Sequence, residues 1–301
     1  MSESPEPAAP RVEVGRYGRL AEARERGLVV AAKELPHWIE RDAAEWVLYV
    51  EEQFGGEAGQ ELAAFEAEQE ARADAPPMLA VQSFSKVSLF IAGWMLSGFF
   101  MAQEIAPEYW ETRGVADAAA ILQGEWWRTI TALMLHGDGP HLVANLATGL
   151  LFASFLIPRM GSGLSWLAIV LSGAIGNALN AWGYRGEPHF SLGASTACFG
   201  ALGILVGVEL LARWREPETR SRWQLILPIG AGLALLAFLG VGEEERNVDF
   251  MAHCWGFLAG LGEGLILLGL RLPERLPKRG QWLAALAALA LVGGAWLRAS
   301  F

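Results

Sequence analysis

The chain has 301 residues, of which 53% are hydrophobic and only 19% are charged, a composition that excludes an ordinary soluble globular protein and favours a membrane protein. Its charge is concentrated at the start, since residues 1–80 hold 17 acidic and 8 basic side chains whereas residues 81–301 hold 16 and 15. That acidic head excludes a nucleic-acid partner, and two cysteines in apolar segments, Cys198 and Cys254, exclude a disulfide framework.

The first 80 residues predict a small soluble α+β domain followed by a linker around Pro76 and Pro77. Residues 1–20 carry Pro, Glu and Arg with few apolar side chains, which predicts a disordered lead. Residues 28–52 contain two strand-like runs around a polar centre, and residues 59–74 favour a helix. The first 30 residues have no apolar core of a signal peptide and are too acidic for a mitochondrial transit peptide, so we expect the first membrane span to direct targeting.

From residue 81 onward the sequence predicts an all-α polytopic membrane domain that ends at residue 301. Seven apolar segments each approach the roughly 20 residues that a helix needs to cross a bilayer. They cover about 86–103, 140–157, 164–183, 194–212, 223–240, 250–270 and 281–297. We therefore expect seven spans embedded in the lipid bilayer.

The basic residues of the short loops predict the orientation of these spans. One alternate set of loops carries nine Lys and Arg residues, with the largest groups at 213–222 and 271–279. The opposite set, 104–139, 184–193 and 241–249, carries only four Arg residues and includes the acidic cluster at 243–245. The first set is expected to face the cytoplasm, which places the acidic head inside the cell and the C-terminus outside.

Polar residues of catalytic type lie near the outer ends of the second, fourth and sixth spans. They are His141 and Asn145, Ser195, and His253 respectively. Because each lies within about two turns of an outer helix end, at about 1.5 Å of rise per residue, all four are expected at one depth in the membrane. This shared depth is a stronger indication of a site than any of the residues alone.

The helix faces predict that these residues also converge laterally. His141 and Asn145 are four residues apart and share a face. His253 shares its face with Gly256 and Gly260, a stripe of small residues that allows close packing against the glycine-rich fourth span.

A serine and a histidine that meet in this way indicate acyl transfer. A serine hydroxyl needs a base within hydrogen-bond reach, which His253 can supply to Ser195. The developing oxyanion needs hydrogen-bond donors, for which His141, the Asn145 amide and the Ser195 backbone N–H are candidates. Gly193 has no side chain to obstruct a substrate carbonyl.

Four short motifs of this chain resemble those of the rhomboid intramembrane serine proteases. The matching residues are Gly193, Ser195, Phe199 and Gly200 in GxSxxxFG; Ala252, His253, Gly256 and Gly260 in AHxxGxxxG; His136, His141 and Asn145 in HxxxxHxxxN; and the pair Trp127 and Arg128 in the first loop. The resemblance covers about residues 86–301 and implies a six-helix core with a seventh, C-terminal transmembrane helix.

The resemblance also implies an activity. Ser195 and His253 would form a catalytic dyad without a carboxylate, with His141, Asn145 and the Ser195 amide as the oxyanion hole and Phe199 packed on the imidazole. The enzyme would be a serine-type endopeptidase that cleaves single-span transmembrane proteins near the outer face and that needs no cofactor or metal. Apart from the resemblance, the lack of a transit peptide and the cytoplasmic head lead us to expect an integral, multi-pass protein of a bacterial inner membrane.

Several polar residues have competing structural explanations. We expect His136 to hold the first loop, Arg128 to play a structural part, His189 to be exposed, and Asp249 to be a solvated carboxylate rather than a third catalytic member. Glu263, in the inner half of the sixth span, is expected to hydrogen-bond within the bundle.

Two other functions remain open at this point. A transporter would also place polar groups at membrane depth, although it often shows an inverted repeat, and none is evident here. A catalytically inactive rhomboid-like membrane chaperone would keep the fold but lose the serine or the histidine, and both are present.

Overall fold

The computed structural model describes residues 9–74, 86–215, 222–240 and 249–301. Contacts within the chain divide it into two units, residues 1–78 and residues 79–301. Each unit is described by itself below.

The first unit is a small α+β fold. Its elements in chain order are β1 (Arg11–Tyr17), α1 (Leu20–Ala31), β2 (His37–Asp42), β3 (Glu45–Glu51) and α2 (Gly55–Asp74). The three strands form an antiparallel sheet in the order β1-β3-β2. Alternate residues of β3, Leu48 and Val50, are fully buried, and they pack with Val30 of α1 and Leu62 of α2. Leu48 and Val50 lie two residues apart and share one face of β3, and this face packs against the two helices.

Two expectations for this unit were wrong. Part of the expected disordered lead is strand β1, because the apolar residues Val12 and Val14 alternate with polar ones and pack against the core. Residues 28–31, expected to begin a strand, form the last turn of α1. The predicted helix at 59–74 is the larger part of α2, and residues 1–8 lie outside the described residues.

The second unit is a bundle of helices with a short two-stranded sheet. Its elements are α3 (Lys86–Ile105), α4 (Pro107–Gly114), β4 (Ala116–Asp117), α5 (Ala118–Leu122), α6 (Arg128–Thr131), α7 (Gly139–Met160), α8 (Ser162–Gly183), β5 (Phe190–Ser191), α9 (Ser195–Arg215), α10 (Arg222–Gly240), α11 (Phe250–Gly269), α12 (Leu272–Arg275) and α13 (Lys278–Ala299). Strands β4 and β5 pair antiparallel and join the first loop to the segment before α9.

Within the described residues, six helices are long and apolar enough to cross a membrane, namely α3, α7, α8, α9, α11 and α13. The remaining expected span, 223–240, coincides with helix α10, in which Leu227–Phe238 is a shorter apolar segment. The prediction of an all-α polytopic membrane fold with a small sheet-containing N-terminal region is confirmed.

Helix α9 lies at the centre of the bundle. In its apolar stretch 72% of the residues are buried, whereas in the apolar stretch of α3 only 6% of the residues are buried. Its glycines allow close approach to α11. A Cβ atom at Gly207 would lie 2.6 Å from the carbonyl oxygen of Leu261, and one at Gly264 would lie 3.0 Å from the Cα of Ile204. The small-residue stripes therefore bring α9 and α11 into backbone contact, as predicted from the sequence.

Candidate active site

The candidate nucleophile and base meet where α9 and α11 begin. Ser195 is the first residue of α9, and His253 is the fourth residue of α11. Ser195 Oγ lies 2.9 Å from Nε2 of His253, which is a hydrogen-bond distance. His253 is buried and only 5% exposed, whereas Ser195 is half-buried. This geometry allows the imidazole to accept the hydroxyl proton.

The His253 imidazole is held by packing and by its helix. The ring of Phe199, one turn after Ser195, lies 4.5 Å from the imidazole centroid at an interplanar angle of 34°. Asp249 caps α11 by accepting a hydrogen bond from the Ala252 N–H at 3.0 Å. The ring is thus oriented by an aromatic neighbour and by a helix terminus of fixed position.

His141 and Asn145 of α7 face the backbone just before Ser195. Gly193 has a φ of +127°, and a Cβ atom at this position would lie 2.7 Å from His141 Nε2 and 3.4 Å from Asn145 Nδ2. Asn145 Nδ2 is buried and has no hydrogen-bond partner among the described residues. A buried native donor left unsatisfied calls for a functional explanation, and a substrate oxyanion would be a suitable acceptor.

His136 holds the segment that leads to Ser195. Its Nε2 accepts a hydrogen bond from the Ala194 N–H at 3.4 Å, and its ring contacts that of His141 with centroids 5.3 Å apart. Burial, followed by the proximity of His141, lowers the pKa of His136 to about 4. The ring is therefore neutral near pH 7 and can accept this bond. His136 was expected to hold the first loop, whereas its side chain is hydrogen-bonded to the segment that precedes Ser195.

Gln103 was missed by reasoning from the sequence. This buried side chain at the end of α3 accepts from the His136 N–H and donates to the His136 carbonyl, both at 3.0 Å. It also donates to Glu111 Oε1 at 3.0 Å. A polar residue near the end of an apolar span was the available signal, although nothing in the sequence specified its partner.

Arg128 has the structural role expected of it. Its Nε lies 2.6 Å from Glu125 Oε2, and its other nitrogens donate to the carbonyls of Val115 and Thr112, each at 3.0 Å. The guanidinium of Arg298 lies 4.4 Å from the centre of the neighbouring Trp127 ring. These contacts fold the first loop onto the bundle.

Three expectations about the other polar residues were wrong. Asp249 is not a solvated carboxylate and His189 is not exposed: their side chains are 13% and 20% accessible, and His189 Nε2 lies 2.6 Å from Asp249 Oδ2. The carboxylate oxygens of Glu263 are buried without a hydrogen-bond partner among the described residues, so the expected bond within the bundle is not found there.

Among the described residues, no group of three His, Cys, Asp or Glu residues is arranged to hold a metal ion.

Comparisons with known proteins agree with this architecture. Residues 123–270 match the rhomboid domain. The chain is 32% identical over 142 residues to the candidate rhomboid protease YdcA of Bacillus subtilis, which is 46% of this chain and 66% of that protein.

Two further relatives show similar likeness. RHOMBOID-like protein 5 of Arabidopsis thaliana is 32% identical over 155 residues, covering 52% of this chain and 48% of the relative. Rhomboid protease GluP of Bacillus subtilis is 29% identical over 187 residues, covering 60% and 33%. The matched regions thus span at most about two thirds of these relatives. The protein is an integral membrane protein, and the chain belongs to the rhomboid family.

Proposed function

We propose that the protein is an intramembrane serine endopeptidase that hydrolyses peptide bonds in or near the transmembrane segments of membrane proteins. The observation that carries the proposal is the 2.9 Å separation between Ser195 Oγ and His253 Nε2. Relatives named as rhomboid proteases support the same reaction class.

The reaction has two halves in this proposal. His253 Nε2 takes the proton of Ser195 as Oγ attacks the scissile carbonyl carbon, and the carbonyl electrons move onto oxygen. The resulting oxyanion accepts hydrogen bonds from His141, Asn145 and the Ser195 N–H. When the tetrahedral intermediate collapses, the protonated His253 donates its proton to the leaving amine, and an ester on Ser195 remains.

Water completes the cycle. His253 accepts a proton from a water molecule, whose oxygen attacks the ester carbonyl, and the Ser195 oxygen leaves with the proton returned by the imidazole. No step requires a cofactor or a metal ion.

Substrates in this proposal are single-span membrane proteins within the bilayer. A peptide bond in an intact helix is sterically shielded, so the substrate segment must unwind before Oγ can reach it. We further propose a bacterial inner membrane as the location. The Lys and Arg distribution in the loops supports an orientation with the acidic N-terminal unit in the cytoplasm.

The test compares purified wild type with Ser195→Ala and His253→Ala, using a labelled single-span substrate in detergent. We expect cleavage to fall at least about 10³-fold in both variants. Ser154→Ala is the matched control, because this serine lies on α7 and its hydroxyl donates to the Leu151 carbonyl within its own helix. A fluorophosphonate should label wild type and the control but not Ser195→Ala. Equal cleavage by wild type and Ser195→Ala would exclude the proposed mechanism.

A further inference from the structure

Three side chains from separate segments meet beside the start of α11. Asn180 lies in the last turn of α8, His189 lies just before β5, and Asp249 caps α11. Asp249 Oδ2 lies 2.6 Å from Asn180 Nδ2 and 2.6 Å from His189 Nε2. We call these three residues the clasp.

Both oxygens of the Asp249 carboxylate are used. Oδ1 accepts the Ala252 N–H at 3.0 Å, while Oδ2 accepts from the other two members of the clasp. The first contact caps the helix, and the others tie its first turn to α8 and to the segment before β5. Charged acceptors of this kind form stronger hydrogen bonds than neutral ones.

His189 is itself fixed on two further sides. Its ring stacks on Tyr184 with centroids 3.7 Å apart and an interplanar angle of 5°. Its carbonyl accepts the Ala118 N–H at 3.0 Å, immediately before Phe190 pairs with Asp117. The imidazole therefore approaches Asp249 from a rigid segment and not from a free loop.

His189 and Asp249 lie close in sequence to the two residues of the proposed dyad. His189 stands six residues before Ser195, and Asp249 stands four residues before His253. His189 is thus followed closely by Ser195, and Asp249 by His253. The His189–Asp249 bond and the bond between Ser195 and His253 join the same two segments at two neighbouring points.

We propose that the clasp is a positioning device for the dyad: the His189–Asp249 contact, supported by Asn180, sets the separation between Ser195 and His253. This inference rests on the proposed function and names residues that do not touch the reacting atoms. A displacement of reacting groups by about 1 Å can lower the rate by as much as about 10²-fold. The His189–Asp249 contact is one of several contacts that position α11, and its loss is expected to lower kcat about tenfold.

The contact requires only a proton on Nε2 of His189. A neutral ring with its proton on that nitrogen donates to Asp249, and so does the charged ring. A side-chain amide can donate in the same way, so glutamine is a conservative replacement for this histidine.

The experiment is a double-mutant cycle of His189→Ala and Asp249→Ser. Serine keeps the capping oxygen for the Ala252 N–H but is too short to reach His189, so it separates the cap from the clasp. His189→Gln tests rescue. Glu187→Gln is the matched control, since Glu187 is an exposed charged residue in the same loop. For each variant, kcat, KM, the rate of fluorophosphonate labelling and the melting temperature are measured.

We expect kcat and the labelling rate to fall about tenfold in each single variant while KM stays within about twofold. The double variant should be no worse than the poorer single one, because the two residues act through one contact. His189→Gln should recover most of the rate, and Glu187→Gln should match wild type.

Other outcomes would overturn the inference. Multiplied losses in the double variant, a change in KM alone, or rates equal to those of Glu187→Gln would exclude a positioning role. If His189→Ala does not fold, Asp249→Ser compared with His189→Gln gives the same decision. A wild type that neither cleaves substrate nor reacts with fluorophosphonate would instead remove the proposed function and this inference together.

Discussion

Replacing Gly193 with alanine tests whether the proposed oxyanion hole needs a residue without a side chain beside it. The Cβ would lie 2.7 Å from both Cε1 and Nε2 of His141. Because non-bonded carbon contacts are favourable from about 3.5 Å, the imidazole would have to retreat by about 0.8 Å. Asn145 Nδ2, at 3.4 Å, would move much less.

The expected result is a loss of kcat of about 10²-fold with KM little changed, since one donor is moved from the position that the oxyanion would occupy. Stability should also fall by about 1–3 kcal/mol, because alanine rarely adopts a φ of +127°. Gly124→Ala is the matched control: its φ is +110°, and nothing lies within 4 Å of the Cβ position. It shares the backbone strain but not the clash.

The assay is steady-state cleavage of the single-span substrate, combined with melting temperatures for both variants. In a His141→Ala background, adding Gly193→Ala should cost little further activity, because the imidazole that clashes is gone. Equal losses of kcat in Gly193→Ala and Gly124→Ala would refute the reasoning. So would a full additional loss in the His141→Ala background.

Two further predictions concern His136 and the packing of α13. The pKa of His136 is lowered from 6.5 to about 4, so the unfolded chain binds more protons between these values and stability falls as pH decreases from 6.5 towards 4; we expect a loss of about 2 kcal/mol between pH 7 and pH 5. His136→Gln should flatten this part of a plot of melting temperature against pH, and an unchanged slope would contradict the assignment. Trp296 of α13 is 7% exposed and packs on Trp110 with ring centroids 4.7 Å apart, so Trp296→Ala should destabilise the protein by about 3–5 kcal/mol. Trp282→Ala on the same helix removes a side chain that is 73% exposed and should change the melting temperature little; equal effects would show that α13 does not hold the first loop.

The helices and their contact could be predicted from the sequence because both depend on local patterns. Apolar length marks the spans, and small residues spaced by three or four mark the face on which α11 meets α9. The expectation that Ser195 and His253 share one depth rests on the rise of the helix and on the distance of each residue from its helix end. These are properties of single segments, and they need no knowledge of the distant chain.

The supporting contacts could not be predicted in the same way. Gln103 is 33 residues from His136, and His189 is 60 residues from Asp249. Each of these side chains has an ordinary alternative, such as a solvated surface position, and only the folded chain decides between them. Strand β1 was missed for a related reason, since its short alternating pattern becomes a strand only when β3 is available to pair with it.

The clasp also bears on why a Ser-His pair could work here without a catalytic carboxylate. In a Ser-His-Asp triad the carboxylate orients the imidazole and selects its tautomer. Asp249 is one turn from His253 and is the obvious candidate, yet its two oxygens already accept from Ala252, Asn180 and His189. In the proposed dyad, the clasp holds the first turn of α11, and the Phe199 ring packs on the His253 imidazole with centroids 4.5 Å apart. Both contacts bear on the orientation of the imidazole, so a change at either is expected to alter kcat before it alters KM.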